Sequence, residues 1–269
     1  NATYPDKIIP CVEEILSSCP GIFLNLNLSL NGLGKDHDDL CQSEGVFEKL
    51  LVTYKKLSDA DPEIFGPKSH FRPNTLYKMA RSKAYLYKGV EIRWSCAPDL
   101  IKEKDNTPEI ETLHFPNGLS DYLKTRLNGR ETIISNFFSG ESKLNGKGGR
   151  VEWALAWPED GEGSLVSYCN TVRTQEGGTH ESGLRTALTK ALKSYAELAG
   201  NKRGGIITGD DVIGGTWGVL SVFVTDPEFQ GQTKDKLTTT NVARNVENSL
   251  KDHFDHFLSG NPIAATKLL

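Results

Sequence analysis

Three polar residues, Gln232, Thr233 and Lys234, follow a glycine in a short loop near the end of the 269-residue chain. The loop comes after an apolar run, residues 219–224, that predicts a buried strand. A lysine ammonium has three N–H donors and a glutamine amide has two, so together they could bind the oxygens of a phosphate group. An exposed lysine in a solvated loop is the simpler interpretation of the letters GQTK taken alone.

A second polar segment, EGGTHESG, begins at Glu176. Gly177 and Gly178 allow a tight turn and the close approach of another backbone segment. Thr179 is a suitable N-cap for the helix that follows. We interpret His180 as a residue of the turn and of its packing rather than as a general base.

The helix expected after this turn covers residues 179–200 and is the best defined in the sequence. Its apolar stripe recurs at helical spacing, and Gly200 is a typical end signal. The stripe consists of Leu184, Leu188, Leu192 and Tyr195. Arg185, Lys190 and Lys193 lie on the polar side.

The other elements indicate an α+β fold without regular βαβ alternation. Residues 149–157 and 165–172 predict two strands joined by PEDGEGS, which we interpret as an antiparallel pair. The strand at 219–224 precedes the GQTK loop, and a last helix is expected to end at Gly260 and Pro262.

The first 58 residues form a separate, small α/β segment in this interpretation. KIIPCVEEILSSC predicts a helix interrupted at Pro10, and GVFEKLLVTYKKL predicts another. Between them, FLNLNLSLNG alternates leucine with polar residues, which is typical of a half-buried strand. No catalytic signature lies in this segment. We therefore divide the chain into an unassigned segment, 1–58, and a domain, 59–269.

Composition excludes several functional classes. No stretch approaches the roughly 18 apolar residues of a membrane span, which excludes a transmembrane role. Five cysteines without a CxxC pair favour reduced thiols over a zinc ribbon, so no metal site is expected. GxSxG, HExxH and Walker motifs are absent from the sequence. The chain begins at Asn1 and has a single methionine, so we expect a fragment or a processed product.

The segments NTVRTQEGGTHESGL and DPEFQGQTKDKL together resemble the transducer domain of the B subunit of bacterial type IIA DNA topoisomerases. NGLSDYL, VEWALAW and SYCNTV are more similar to topoisomerase IV than to gyrase. The resemblance covers the chain from about Asp61 to the end. Val172-Arg173 departs from it, because the family usually has Ile-Pro there, so a rigid proline is replaced by a charged residue.

The resemblance implies a transducer-type domain with a mixed sheet and a left-handed βαβ crossover. It implies that the loop of Gln232, Thr233 and Lys234 reaches into the nucleotide site. There Gln232 and Lys234 would contact the γ-phosphate of ATP, which is held with Mg mainly by a GHKL ATPase domain. The expected partners are DNA, the topoisomerase A subunit and a second B subunit, and the expected location is the cytoplasm. The complete enzyme would be an ATP-hydrolysing isomerase.

The resemblance also implies that the transducer domains of two subunits enclose a cavity through which DNA passes. The candidate residues that line this cavity are Arg185, Lys190 and Lys193. Solvent-exposed lysines on an amphipathic helix are the alternative. The first 60 residues lack the GHKL ATPase boxes in their usual order, so this chain alone is not expected to hydrolyse ATP. The alternative function is a noncatalytic interaction module that keeps the fold but has lost ATP and DNA binding.

Overall fold

A computed structural model describes residues 5–18, 38, 44–60, 72–101, 104–144 and 149–269. The chain separates into two compact units, Asn1–Phe71 and Arg72–Leu269. The division expected at residues 58 and 59 stays a prediction.

In the first unit, helix α1 spans Pro5–Ser18 and helix α2 spans Val46–Ala60. Both helices were expected from the sequence. Pro10 lies inside α1 rather than interrupting it. Helix α2 begins where the carboxylate of Asp38 accepts hydrogen bonds from the backbone N–H groups of Gly45 and Phe47. The strand expected at residues 23–32 lies outside the described residues.

The second unit is an α+β structure, as the sequence predicts. It opens with helix α3 (Pro73–Leu86) and the antiparallel pair β1 (Glu91–Ser95) and β2 (Ile110–His114), followed by helix α4 (Leu119–Leu127). Its main sheet has five strands, β3 (Phe138–Leu144), β4 (Gly149–Ala156), β5 (Ser164–Cys169), β6 (Val172–Arg173) and β7 (Trp217–Phe223).

The remaining elements of this unit surround the two motifs. Helix α5 spans Thr179–Leu198 and helix α6 spans Gly209–Gly214. A two-residue strand pair, β8 (Phe229–Gln230) and β9 (Lys236–Leu237), follows β7. Helix α7 (Thr240–Gly260) and helix α8 (Pro262–Leu268) complete the chain.

The expected pairing of residues 149–157 with 165–172 is wrong. The strand order is β3-β4-β7-β5-β6, so β7 lies between β4 and β5, antiparallel to the first and parallel to the second. The reason is that β7 is buried on both faces, with Val219 in one core cluster and Leu220 and Val222 in the other. Such a strand belongs in the middle of a sheet that is covered on both sides.

The predicted strand 165–172 is also too long. The backbone turns at Asn170 and Thr171, both with positive φ (47° and 65°), and returns as β6. The expected βαβ crossover is present, because β5 and β7 are parallel neighbours connected through α5 and α6. Its left hand stays a prediction.

The sheet separates two hydrophobic cores. One face packs against α5 and α7, where Trp153, Leu188 and Phe254 are fully buried. The other face packs against α3 and α4 around Tyr85 and Leu123. Helices α5 and α7 approach each other very closely. A Cβ placed on Gly183 would lie only 2.3 Å from the carbonyl oxygen of Ala243.

Helix α5 begins one residue earlier than its capping pattern suggests. Gly178 is the N-cap, Thr179 is the first helical residue, and the Thr179 hydroxyl is buried without a hydrogen-bond partner in the described part of the chain. Gly178 has φ 139° and ψ −158°, a conformation that is open to glycine and strained for other residues. The backbone demand at this turn therefore overrides the side-chain preference of threonine.

Candidate functional site

The GQTK segment is the loop of the β8–β9 hairpin. Phe229 pairs with Leu237 and Gln230 pairs with Lys236, and residues 231–235 connect the two strands. Gln232, Thr233 and Lys234 are all exposed. The loop bends at Gly231 (φ 74°) and at Lys234 (φ 60°). A positive φ at a lysine is uncommon and marks a backbone that its surroundings hold in place.

Lys234 presents its ammonium group to solvent. Nζ lies 5.9 Å from the centroid of the Phe229 ring, a weak cation–π contact that leaves the N–H donors free. No carboxylate within the described ranges forms an ion pair with Lys234. The loop therefore offers an exposed amide and an uncompensated cation to an anion that approaches from outside.

The hairpin is fixed to the EGGTH turn by backbone contacts. The N–H of Glu176 donates to the carbonyl of Asp235 (2.9 Å), and the N–H of Leu237 donates to the carbonyl of Gly177 (3.0 Å). Gly178 and Leu237 form an isolated parallel bridge. We call residues 176–178 with residues 235–237 the latch. It brings together two motifs that the sequence separates.

The latch depends on the absence of a side chain at Gly178. A Cβ at this position would lie 2.3 Å from the carbonyl oxygen and 2.6 Å from the nitrogen of Leu237. Leu237 is only 1% exposed and belongs to the core between the sheet and α5 and α7. The two glycines were expected to allow a close backbone approach, and the structure shows that the approaching backbone is the hairpin itself.

Polar side chains lie buried beneath the turn. His180 is 0% exposed, and its Nε2 lies 3.0 Å from Oγ1 of Thr174, which in turn lies 2.6 Å from Oγ of Ser167 on β5. Burial lowers the pKa of His180 to about 4, so the ring is neutral at neutral pH. Burial also raises the pKa of Glu181, against the opposing effects of a hydrogen bond from Ser167 and of the Arg185 charge. Ser167 and Thr174 lie in the segments SYCNTV and NTVRTQEGGTHESGL, but nothing in those letters indicates that the two hydroxyls meet beneath His180.

The candidate DNA-binding residues lie elsewhere on α5. At about 1.5 Å of rise per residue, Arg185, Lys190 and Lys193 lie about 10 to 22 Å along the helix from the latch. Arg185 pairs with Asp210 on α6. Lys190 pairs with Glu247 on α7 at 2.6 Å, and Lys193 is exposed. The structure does not bring these three residues together with the hairpin loop.

The carboxylates that pair with Arg185 and Lys190 could not be identified from the sequence. Asp210 lies in the first turn of α6 beside Asp211, which forms a capping box with Thr208. Hydrogen bonds from Thr208 lower the pKa of Asp211. The partner of Lys190 lies on a different helix, which helical periodicity does not reveal.

The described ranges contain no cluster of three or more histidine, cysteine, aspartate or glutamate side chains that could hold a metal ion. They also contain no helix long and apolar enough to cross a membrane.

Comparison with known proteins identifies the family. A sequence model of DNA gyrase B matches residues 118–269. The chain is 54% identical over 213 residues to the B subunit of DNA topoisomerase 4 from Caulobacter vibrioides and 52% identical over 209 residues to that from Bartonella bacilliformis. Each alignment covers 78% of this chain and 30% of the relative, so the chain spans about a third of the length of these relatives.

Solved structures agree with the sequence matches. The chain is similar to the 43K ATPase domain of Thermus thermophilus gyrase B, crystallised with an aminocoumarin, with a TM-score of 0.61 and 25% identity over 77% of this chain and 54% of that one. It is also similar to the topoisomerase IV ATP-binding domain of Francisella tularensis, with a TM-score of 0.60 and 28% identity over 74% of this chain and 51% of that one.

Proposed function

This chain belongs to the DNA gyrase B family, and from that premise we propose that it is the nucleotide-sensing transducer part of a type IIA topoisomerase B subunit similar to topoisomerase IV. One observation carries the proposal: an exposed loop with an uncompensated lysine is fixed by backbone bonds to the start of a long helix. In this proposal the loop meets the terminal phosphate of ATP, and the complete subunit is part of an ATP-dependent DNA topoisomerase in the cytoplasm.

The side chains of the loop suit a terminal phosphate. The Lys234 ammonium supplies a positive charge and three donors, the Gln232 amide supplies neutral donors, and the Thr233 hydroxyl can donate or accept. Charge-assisted hydrogen bonds of this kind are about twice as strong as neutral ones. The γ-phosphate would supply the charge that distinguishes ATP from ADP, so the loop would bind only in the triphosphate state.

The rest of the nucleotide site is not expected within this chain. The described residues offer no carboxylate cluster for Mg, and the sequence lacks the GHKL boxes. We therefore propose that an ATP-binding domain holds ATP and Mg and that the hairpin completes the site. The expected partners of the complete subunit are an A subunit, a second B subunit and DNA, with Arg185, Lys190 and Lys193 as the DNA-facing residues.

The ion pairs on α5 favour the alternative, a noncatalytic interaction module without DNA binding. Arg185 and Lys190 each already contact a carboxylate. However, Lys190 is 57% exposed, and an exposed pair of this kind contributes only about 0–1 kcal/mol, so a DNA phosphate could displace Glu247. The two proposals therefore differ in a measurable DNA affinity.

The deciding experiment measures the binding of a non-hydrolysable ATP analogue to this chain, alone and mixed with a separately produced topoisomerase IV ATP-binding domain. We expect binding only in the mixture. Lys234→Ala should weaken triphosphate binding about 10- to 100-fold and leave ADP binding unchanged. Lys236→Ala removes the same charge from the same hairpin and is the control. Equal effects of the two substitutions, or none, would leave the interaction module as the better proposal.

A further inference from the structure

A buried chain of hydrogen bonds joins the base of the latch to the central sheet. Its members come from three parts of the fold: Ser167 from β5, Thr174 from the segment after β6, and His180 from the first turn of α5. Each is at most 3% exposed. His180 places one end of the chain in α5, and Ser167 places the other end in the sheet.

The geometry selects one arrangement of protons along this chain. His180 Nδ1 is buried without a partner among the described residues. An unpartnered buried N–H is less favourable than an unpartnered lone pair, so the hydrogen belongs on Nε2, which donates to Thr174 Oγ1. Thr174 Oγ1 then donates to Ser167 Oγ, and Ser167 Oγ donates to the backbone carbonyl of Thr174 at 3.3 Å. Every donor in the chain has an acceptor in this arrangement.

The first turn of α5, which carries His180, also packs against the glycine turn above it. A Cβ added to Gly177 would lie 2.4 Å from Oε2 of Glu181, so this carboxylate packs directly against the turn. Gly177 lies between two other residues of the latch. Gly178 forms the bridge to Leu237, and the backbone N–H of Glu176 donates to the carbonyl of Asp235. If the buried hydrogen-bond chain beneath the turn were broken, the backbone hydrogen bonds between the turn and the hairpin would therefore weaken.

We infer that His180 is a positioning residue, which through Thr174 and Ser167 holds the latch and thereby the Gln232–Lys234 loop in its binding geometry. This inference rests on the proposed function for its consequence in nucleotide binding, but its structural part can be tested without nucleotide. His180 itself lies beneath the turn and contacts no ligand in this mechanism.

Three substitutions separate the hydrogen bond from simple packing. His180→Leu keeps most of the volume and removes the ring nitrogens. In His180→Gln, the side-chain amide lies about as far from the backbone as Nε2 does in histidine. It should therefore restore the hydrogen bond to Thr174. Thr174→Val removes the hydroxyl that bonds to both His180 and Ser167 and keeps the shape of the side chain. Thr189→Val makes the same change on α5 outside the chain, where the hydroxyl donates to the carbonyl of Arg185, and is the control.

Amide hydrogen exchange on the whole 269-residue chain is the first readout. We expect His180→Leu and Thr174→Val to speed exchange at the N–H groups of Glu176 and Leu237 about tenfold, with α7 still protected. His180→Gln and Thr189→Val should resemble the wild type. Uniform acceleration throughout the second unit, unchanged exchange at the latch, or failure of all the His180 and Thr174 variants to fold would overturn the inference.

The second readout is analogue binding in the mixture with a topoisomerase IV ATP-binding domain. His180→Leu should weaken triphosphate binding about tenfold without affecting ADP, and His180→Gln should recover most of it. If Lys234→Ala has no effect, the proposed function fails, while the exchange data still decide the role of His180. If Lys234→Ala weakens binding and both His180→Leu and Thr174→Val do not, the inference about His180 fails alone.

Discussion

Replacement of Gly178 by alanine tests whether the latch is as tight as its geometry indicates. The new Cβ would lie 2.3 Å from the carbonyl oxygen of Leu237, so one of the two backbones must move. Leu237 is buried and cannot move away without disturbing the core. The substitution therefore combines a steric clash with a conformation, φ 139°, that alanine rarely adopts.

The expected loss of stability follows from three contributions. Backbone strain at this φ contributes about 1–3 kcal/mol. Overpacking against Leu237 contributes about 1–3 kcal/mol, and loss of its hydrogen bond to Gly177 contributes about 1 kcal/mol. Because the latch can relax part of the strain as it opens, we expect about 3–5 kcal/mol in total. Such a loss is a large part of the roughly 5–15 kcal/mol that stabilises a domain.

Gly200→Ala is the matched control. Gly200 also has a positive φ, 66°, but no atom lies within 4 Å of the Cβ that alanine would add. Gly200→Ala should therefore lose stability through backbone strain alone, by about 1–2 kcal/mol. The assay is urea unfolding followed by tryptophan fluorescence. All four tryptophans, Trp94, Trp153, Trp157 and Trp217, lie in the second unit, so the signal reports on that unit alone. Equal losses for the two variants would refute the close approach at the latch.

Three other perturbations have defined outcomes. Phe254→Ala removes a fully buried ring and should destabilise the second unit by about 3–5 kcal/mol in the same urea titration, and a loss below about 1 kcal/mol would contradict the described core. Lys190→Ala breaks only the exposed pair with Glu247, so stability should change by less than about 1 kcal/mol, while DNA affinity should fall and its salt slope should decrease by about one if this face binds phosphates. The pKa of His180 is about 4 when folded and about 6.5 when unfolded, so the unfolded chain binds the extra proton between these values. Stability should therefore be complete above about pH 6.5 and fall by up to about 3 kcal/mol towards pH 4, and His180→Gln should remove this slope in unfolding measured against pH.

The local elements were predictable because local patterns determine them. Helix α5 follows its apolar stripe, and Gly200 has the positive φ expected of an end signal. The order of the strands was not predictable in the same way. The short connection from β4 to β5 suggested a hairpin, yet β7, which comes much later in the chain, occupies the position between them. Burial of both faces of β7 places this strand in the middle of the sheet. Which strands flank it is apparent only from the assembled sheet.

The candidate site also combines residues that the sequence indicates with contacts that it does not reveal. Gln232 and Lys234 could be selected from the sequence because the surrounding segments resemble a known family, whereas the letters GQTK alone favoured an exposed, solvated lysine. The latch could not be predicted, since it consists of backbone groups that every residue has. Thr179 is instructive for the same reason, because its side chain favours the N-cap position while the hairpin requires a glycine there.

The arrangement around the latch explains how a contact at one exposed loop could affect the rest of the domain. Helices α5 and α7 both begin beside the latch, since one follows Gly178 and the other follows β9 within a few residues. They pack so closely that Gly183 has no room for a side chain against the backbone of Ala243, and the Lys190–Glu247 pair joins them further along. Sliding one helix past the other would break this backbone contact, because close-packed interiors resist continuous deformation. A displacement of the hairpin would therefore carry both helices together, which is the rigid connection that the proposed nucleotide sensor requires.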